Sequence, residues 1–119
     1  MRELITPSLI NDKEVNMKKL TVLLICSSGM SSTIMKVNME KAAEKMGVDL
    51  SVSARSESAA DVEKDMNPAD IIMLAPQVRY IKPDIEKKSG KPVGIIEMRD
   101  YGLGNGEAVL KNCMKILGL

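Results

Sequence analysis

The 119-residue sequence contains no histidine, phenylalanine or tryptophan, and only two tyrosines and two cysteines. Without histidine, the chain cannot supply the imidazole of Ser-His-Asp or Cys-His catalysis, and it lacks a common zinc ligand. Seventeen basic residues are balanced by sixteen acidic ones. Scarce aromatic side chains and the absence of a basic tract argue against a nucleic-acid surface. We therefore expect no nucleic-acid partner, no metal and no cofactor.

Long apolar runs are also absent. No run approaches the roughly 20 residues of a transmembrane helix, so direct membrane insertion is not expected. The apolar run 20–25 is too short for a signal peptide, and an amphipathic helix rather than a cleavage site follows it. Cys26 and Cys113 are far apart and form neither a disulfide framework nor a CxxC motif. A reducing cytoplasm is the expected location.

Short apolar runs alternate with helical patterns from residue 18 onwards. Strands are predicted over 20–25, 48–54, 70–75 and 92–96. Helices are predicted over about 31–46, 57–66, 77–88 and 107–117, with a glycine-rich loop over 98–106. Pro83 is expected to bend or restart the third helix, and Met46 and Ile116 are predicted on inward helix faces. The alternation predicts an α/β protein with parallel strands and helices on both faces of the sheet.

The stretch CSSGMSST (26–33) follows the first predicted strand. Ligands of such sheets bind at the carboxyl ends of the strands. Gly29 and the small residues around it allow several backbone N–H groups to point to one place, next to the positive end of the following helix. Such a loop binds an anion without a charged side chain and favours a thiolate. Cys26 is therefore a candidate nucleophile and phosphate acceptor, with the loop amides holding the phosphoryl oxygens.

A buried, inert thiol is the alternative for each cysteine. Cys113 fits this alternative, because it lies on the apolar stripe of the last predicted helix without polar neighbours. Cys26 ends a strand and begins a hydroxyl-rich turn, which favours a functional role.

The spacing of the loop is similar to that of cysteine phosphatases, in which five residues separate the cysteine from an arginine followed by Ser or Thr. Here Ser32 stands at the arginine position and Thr33 follows it. No Asp-Pro pair supplies a general acid, since Pro83-Asp84 has the reverse order. The loop resembles the phosphate-binding loop of a phosphatase that lacks the residues for hydrolysis. Such a loop could hold a labile phosphocysteine and transfer its phosphoryl group to an acceptor. A low-molecular-weight phosphatase-like hydrolase and a non-catalytic regulatory module remain alternatives.

Three segments together resemble a known family: LTVLLICSSGMSSTIM, ADIIMLAPQVRYIKPDIEK and KPVGIIEMRDYGLGNGEAVLK. The family is the enzyme IIB component of the phosphoenolpyruvate-dependent sugar phosphotransferase system (PTS), in its lactose/cellobiose (diacetylchitobiose) branch. The resemblance covers about residues 18–117. Residues 1–16 are expected to be a poorly ordered N-terminal extension, and 17–119 an EIIB-type domain. Resemblance and alternation together predict a three-layer α/β sandwich with an open four-stranded parallel sheet in the order 2-1-3-4.

The resemblance implies a cytoplasmic phosphotransferase. Its cysteine, here Cys26, would accept phosphate from a phosphohistidine on phosphorylated IIA. It would then donate that phosphate to a sugar of the cellobiose, diacetylchitobiose or lactose type, bound by the membrane IIC permease. Gln77, after the third strand, is expected to contact the loop or a partner, and a monomer is expected. By position, the phosphate-binding residues would be Ser27, Ser28, Gly29, Met30, Ser31 and Ser32.

Two other features have more than one interpretation. Arg99, Asp100 and Tyr101 are either partner contacts or residues of a solvated loop. Tyr80 is predicted to pack against the protein rather than to contact a partner.

Overall fold

The computed structural model describes residues 19–27, 30–57 and 62–119. For residues 30–32 and 62–63 it describes the backbone but not the side chains. Within these residues, four strands form one parallel sheet in the order β2-β1-β3-β4. The strands are β1 (Leu20–Cys26), β2 (Leu50–Ser56), β3 (Ile71–Leu74) and β4 (Val93–Ile95). The α/β class and the strand order 2-1-3-4 are confirmed. Residues 1–16 lie outside the described residues, so the N-terminal extension remains an expectation.

The helices pack on both faces of this sheet. They are α1 (Met30–Met46), α2 (Val62–Met66), α3 (Lys82–Ser89), α4 (Met98–Leu103) and α5 (Gly106–Leu117), with a 3₁₀ segment at Pro76–Ile81. On one face, Val22 and Leu24 of β1 contact the apolar side chains of α1 and α5. On the other face, Leu23 and Ile25 join apolar residues of α2, the 3₁₀ segment and α3. Because both faces are covered, β1 is a nearly continuous apolar run, as in other parallel sheets.

The edge position of β2 is also explained by its sequence. Polar and apolar residues alternate in LSVSARS, and only Val52 is fully buried. By contrast, all of β3 and all of β1 except Thr21 are buried. A strand with one partner and one exposed edge tolerates such alternation, whereas the central strands do not.

The crossing of α1 and α5 depends on one glycine. Gly106, the first residue of α5, lies against the backbone of α1. A Cβ atom at Gly106 would stand 2.3 Å from the carbonyl carbon of Asn38 and 2.4 Å from the amide nitrogen of Met39. Just before this crossing, the Asn38 amide donates a hydrogen bond to the carbonyl oxygen of Gly104 at 2.7 Å. Close backbone approach and this bond fix α5 against α1 at the carboxyl end of the sheet.

The predicted loop over 98–106 is wrong, because six of its residues form α4 (Met98–Leu103). Its glycines suggested a loop, but a glycine inside a helix costs only about 1 kcal/mol relative to alanine. Tyr101 offsets this cost by packing, half-buried, against both core clusters. The helix ends at Gly104, whose φ of +64° is the left-handed conformation that glycine adopts most readily.

The helix predicted over 77–88 is divided in two. A 3₁₀ segment, Pro76–Ile81, is followed by α3, in which Pro83 occupies the first turn. Proline has no N–H to donate, and its fixed φ suits the start of a helix but not its interior. The expectation that Pro83 restarts the helix is therefore confirmed.

Three smaller predictions need correction. Met46 and Ile116 were placed on inward faces, yet both are exposed, since they lie in the last turns of α1 and α5. Glu57 was placed in a helix but lies in a turn, and the described part of that predicted helix is α2 (Val62–Met66). Residues 58–61 of that predicted helix lie outside the described residues. Within the described ranges 19–27, 30–57 and 62–119, no helix is long and apolar enough to cross a membrane.

Gly106→Ala tests the helix crossing. The new methyl group would meet backbone atoms, which cannot move aside as a flexible side chain could, so we expect a loss of about 1–3 kcal/mol in the free energy of unfolding. Denaturant titration measures the change. Gly102→Ala is the matched control, because no atom lies within 4 Å of its Cβ position. It should be neutral or slightly stabilising. Equal stability of Gly106→Ala and the parent would contradict this account of the crossing.

Candidate functional site

Cys26 is the last residue of β1 and is held from both neighbouring strands. Its carbonyl oxygen accepts a hydrogen bond of 2.7 Å from the N–H of Glu57, just after β2. The carbonyl oxygen of Ile25 accepts one of 2.9 Å from the N–H of Ala75, just after β3. In the register, Cys26 faces Ser56. The start of the candidate loop is therefore fixed relative to both neighbouring strands.

The chain leaves the core at this point. Cys26 is only 1% exposed and belongs to the apolar cluster on the α3 face, together with Ala75 and Val78. The next residue, Ser27, is exposed, and its carbonyl oxygen accepts a bond of 3.3 Å from the Ser56 hydroxyl. The boundary between core and surface therefore falls between Cys26 and Ser27.

The remaining loop residues are described only in part. Ser28 and Gly29 lie outside the described residues. Met30, Ser31 and Ser32 belong to the first turn of α1, with side chains that are not described. The expectation that a helix begins directly after the loop is confirmed, so the positive end of a 17-residue helix follows Cys26. The phosphate-binding role of residues 27–32 stays a prediction.

Gln77 lies on the same end of the sheet, as its place after β3 predicts. It is exposed in the 3₁₀ segment and lines a groove of about 440 Å³ between α1 and α4. We call this the α1–α4 groove. Ile34 of α1, 62% exposed, and Leu103 of α4, 73% exposed, also line it. Tyr101 lines it as well, from the segment that was expected to be a loop. A groove with apolar side chains this exposed is suited to a protein partner.

The basic side chain nearest to the loop in the sheet register is Arg55, the β2 partner of Ile25. Its Nε donates to a carboxylate oxygen of Asp65 at 2.6 Å, and its Nη1 donates to the carbonyl oxygen of Ala54 at 3.2 Å. Arg55 is thus held by an acidic partner and does not take the place of the arginine in a phosphatase loop. Among the described residues, no group of three or more His, Cys, Asp or Glu side chains could hold a metal ion.

Two residues near the loop were missed from the sequence. Tyr80 was predicted to pack against the protein, but it is 69% exposed. Its hydroxyl donates to both carboxylate oxygens of Glu57, at 3.1 and 3.3 Å. The hydrogen bond that the Tyr80 hydroxyl donates to Glu57, and then the negative charge of Glu57, raise the pKa of that hydroxyl above its usual value. The signal for Glu57 was its position directly after the strand that neighbours β1.

The second cysteine is part of the core. Cys113 lies on the buried side of α5, and burial raises the pKa of its thiol to about 12. A thiol that stays protonated in the neutral range is neither a nucleophile nor a metal ligand. The predicted core position of Cys113 is confirmed.

Comparison with known proteins agrees with this geometry. A model of the family "PTS system, Lactose/Cellobiose specific IIB subunit" matches residues 21–112. The chain is 35% identical over 97 residues to the PTS system galactose-specific EIIB component of Lactococcus lactis subsp. cremoris (strain MG1363). It is equally identical, over the same length, to the PTS system cellobiose-specific EIIB component of Lactococcus lactis subsp. lactis (strain IL1403). Each match covers 75% of this chain and 88% of the relative.

Solved structures show the same fold. The lactose-specific IIB component domain from Streptococcus pneumoniae has a TM-score of 0.70 at 20% identity, over 82% of this chain and 97% of that one. The cellobiose-specific IIB component from Borrelia burgdorferi has a TM-score of 0.67 at 29% identity, over 83% of this chain and 92% of that one. The class is therefore that of PTS IIB components, which are phosphotransferases. Within it, the chain belongs to the lactose/cellobiose-specific IIB family.

The burial of Cys113 predicts its reactivity. In a Cys26→Ser variant, Cys113 is the remaining cysteine, and a thiol reagent at pH 8 should not modify it until the protein is unfolded. Burial favours the un-ionised thiol, so its contribution to the free energy of unfolding is complete below the ordinary pKa of 9.0. That contribution is lost as the pH rises towards the raised pKa of about 12. Labelling followed by mass spectrometry, with and without denaturant, measures the reactivity. Complete modification of the folded variant at pH 8 would contradict the burial.

Proposed function

We propose that Cys26 is the nucleophile of a phosphoryl relay. It accepts phosphate from a phosphohistidine of the IIA protein and donates it to a sugar bound by the IIC permease. The observation that carries the proposal is the position of Cys26 at the end of the central strand, directly before the N-terminus of α1, in a IIB-family chain. The cytoplasm, where phosphoenolpyruvate feeds the relay, is the proposed location.

The chemistry needs one nucleophile and two partners. In the first step, the Cys26 thiolate attacks phosphorus, so that an S–P bond forms while the N–P bond breaks. The departing imidazole nitrogen takes up a proton, equivalent to the one that the thiol released. In the second step, a sugar hydroxyl attacks, an O–P bond forms, and the S–P bond breaks to give the thiolate, which regains the thiol by taking up a proton equivalent to the one that the hydroxyl released. Backbone N–H groups of residues 27–32 and the positive end of α1 are proposed to hold the phosphoryl oxygens throughout.

Hydrolysis is the competing fate of a phosphocysteine. A phosphatase would place an arginine where this chain has Ser32, and the nearby Arg55 is bound to Asp65. Without a guanidinium in the loop sequence and without an Asp-Pro pair in the chain, attack by water would receive little of the stabilisation that a phosphatase gives it. These features support a relay over a phosphatase-like hydrolase, because a relay must keep its phosphoryl group until the acceptor arrives.

The same sulfur serves both partners, so IIA and IIC are proposed to dock in turn at the carboxyl end of the sheet. The α1–α4 groove lies at this end and exposes Ile34 and Leu103. We propose that it contacts IIA, with Gln77 at its border. The sugar is proposed to be of the cellobiose, diacetylchitobiose or lactose type. Named relatives include galactose-, cellobiose- and oligo-beta-mannoside-specific components.

Cys26→Ser tests the nucleophile. With phosphoenolpyruvate, the general phosphotransferase proteins and the cognate IIA, the parent should gain one acid-sensitive phosphoryl group, and Cys26→Ser should gain none. Intact-protein mass spectrometry measures the gain. Cys113→Ala, which removes the buried thiol, is the matched control and should be phosphorylated like the parent. Phosphorylation of Cys26→Ser at the parental rate would show that another residue is the acceptor.

Leu103→Glu tests the docking surface. A charge in the α1–α4 groove would have to be desolvated on docking, so the KM for phosphorylated IIA should rise about fivefold or more, with little change in kcat. Leu119→Glu is the matched control, because Leu119 is as exposed as Leu103, at 74% against 73%. Leu119 lines a cavity with Lys19 and Leu20, which lies at the opposite end of the sheet. This variant should leave the KM unchanged. Equal KM values for the two variants would show that the α1–α4 groove is not the docking surface for IIA.

A further inference from the structure

A hydrogen bond between an exposed and a half-buried side chain bridges the end of the strand that carries Cys26. Glu57 follows β2, and Tyr80 lies in the 3₁₀ segment that follows β3. Since β1 lies between β2 and β3 in the sheet, the bond from the Tyr80 hydroxyl to the Glu57 carboxylate joins the two neighbours of β1 at its carboxyl end. Glu57 also contacts β1 directly, through the 2.7 Å bond from its N–H to the carbonyl oxygen of Cys26.

This arrangement places an acidic residue in backbone contact with Cys26, the residue proposed to carry phosphate. The phenol is its hydrogen-bond donor and brings no positive charge. Arg55, two residues before Glu57, is basic, but it forms its ion pair with Asp65. A negatively charged residue at this position repels a phosphoryl group instead of binding it.

We propose that Glu57, held in position by Tyr80, raises the phosphoryl-transfer potential of Cys26 by electrostatic repulsion of the bound phosphoryl group. The inference rests on the proposed phosphorylation of Cys26. A phosphoryl group carries nearly two negative charges, so a nearby carboxylate disfavours the phosphorylated form relative to the free thiolate. Tyr80 acts as a positioning residue, because it keeps the carboxylate beside the strand end instead of free in solvent.

Repulsion of this kind suits a relay. If the phosphocysteine were strongly stabilised, transfer from IIA would be favourable but transfer onwards to the sugar would stall. A carboxylate near the phosphoryl group shifts the equilibrium towards transfer from Cys26 to the sugar. Glu57 itself forms and breaks no bond in either step. Because the pair is exposed to solvent and salt, the shift is modest, about two- to fivefold in the equilibrium constant at low ionic strength.

The test is an equilibrium measurement. Phosphorylated IIA is mixed with the protein, and mass spectrometry gives the phosphorylated fraction of each protein at about 0.05 M and about 1 M salt. The equilibrium constant between the free proteins does not depend on how tightly they bind each other, so effects on docking cancel. Glu57→Gln should raise the constant in favour of phosphocysteine about two- to fivefold at low salt, and the difference should disappear at high salt.

Three further variants separate charge from structure. Glu57→Asp keeps the charge and should stay near the parental value. Tyr80→Phe should give a smaller rise than Glu57→Gln and should add nothing in the Glu57→Gln background, because it acts through that carboxylate. Asp49→Asn removes the same charge just before the opposite end of β2 and should have no effect.

Each outcome distinguishes the inference from the proposal beneath it. If the parent accepts no phosphoryl group, both fail. If the parent is phosphorylated but Glu57→Gln has the parental equilibrium constant or a lower one, only the role of Glu57 fails. A rise that persists unchanged at high salt would also overturn it, because a structural effect on the loop, unlike repulsion between charges, is not screened.

Discussion

The pairing of β1 on both of its edges is the constraint on which the rest of the site depends. Hydrogen bonds from Ala75 and Glu57 hold the last two residues of β1, Ile25 and Cys26, against strands on either side. The chain then leaves a strand that is buried except at Thr21, and at Met30 it begins the longest helix of the described residues. The thiol is thereby fixed at a boundary between core and surface, at the end of the sheet where parallel α/β proteins bind their ligands.

The elements that the sequence predicted well are those governed by local patterns. Continuous apolar runs predicted β1 and β3 because helices cover both faces of the central strands, and alternation predicted the edge strand β2. The assignment of Cys26 as a site residue rests on a local signal of the same kind, a small, hydroxyl-rich stretch between strand and helix, and it stays a prediction. The loop predicted over 98–106 failed because Tyr101 stabilises α4 through contacts with residues distant in the sequence.

The same distinction explains what was missed at the site. Tyr80 and Glu57 are 23 positions apart and meet only because β2 and β3 flank β1. The ion pair between Arg55 and Asp65 likewise depends on the folded path of the chain. Because of this pair, Arg55 does not serve as the arginine of a phosphatase loop. The composition agrees with the proposed division of labour, in which the partner supplies the imidazole chemistry, because this chain has no histidine.

The proposed relay combines neutral backbone donors with the absence of a guanidinium in the loop sequence, and this combination favours transfer over hydrolysis. The identity of the bond to phosphorus tests it most directly. In the phosphorylated parent, ³¹P NMR should show one resonance in the phosphothioester region, coupled through sulfur to the Cβ protons of a single cysteine, Cys26. A resonance typical of a phosphate ester or a phosphoramidate, or coupling to Cys113, would contradict the assignment of Cys26 as the phosphoryl carrier.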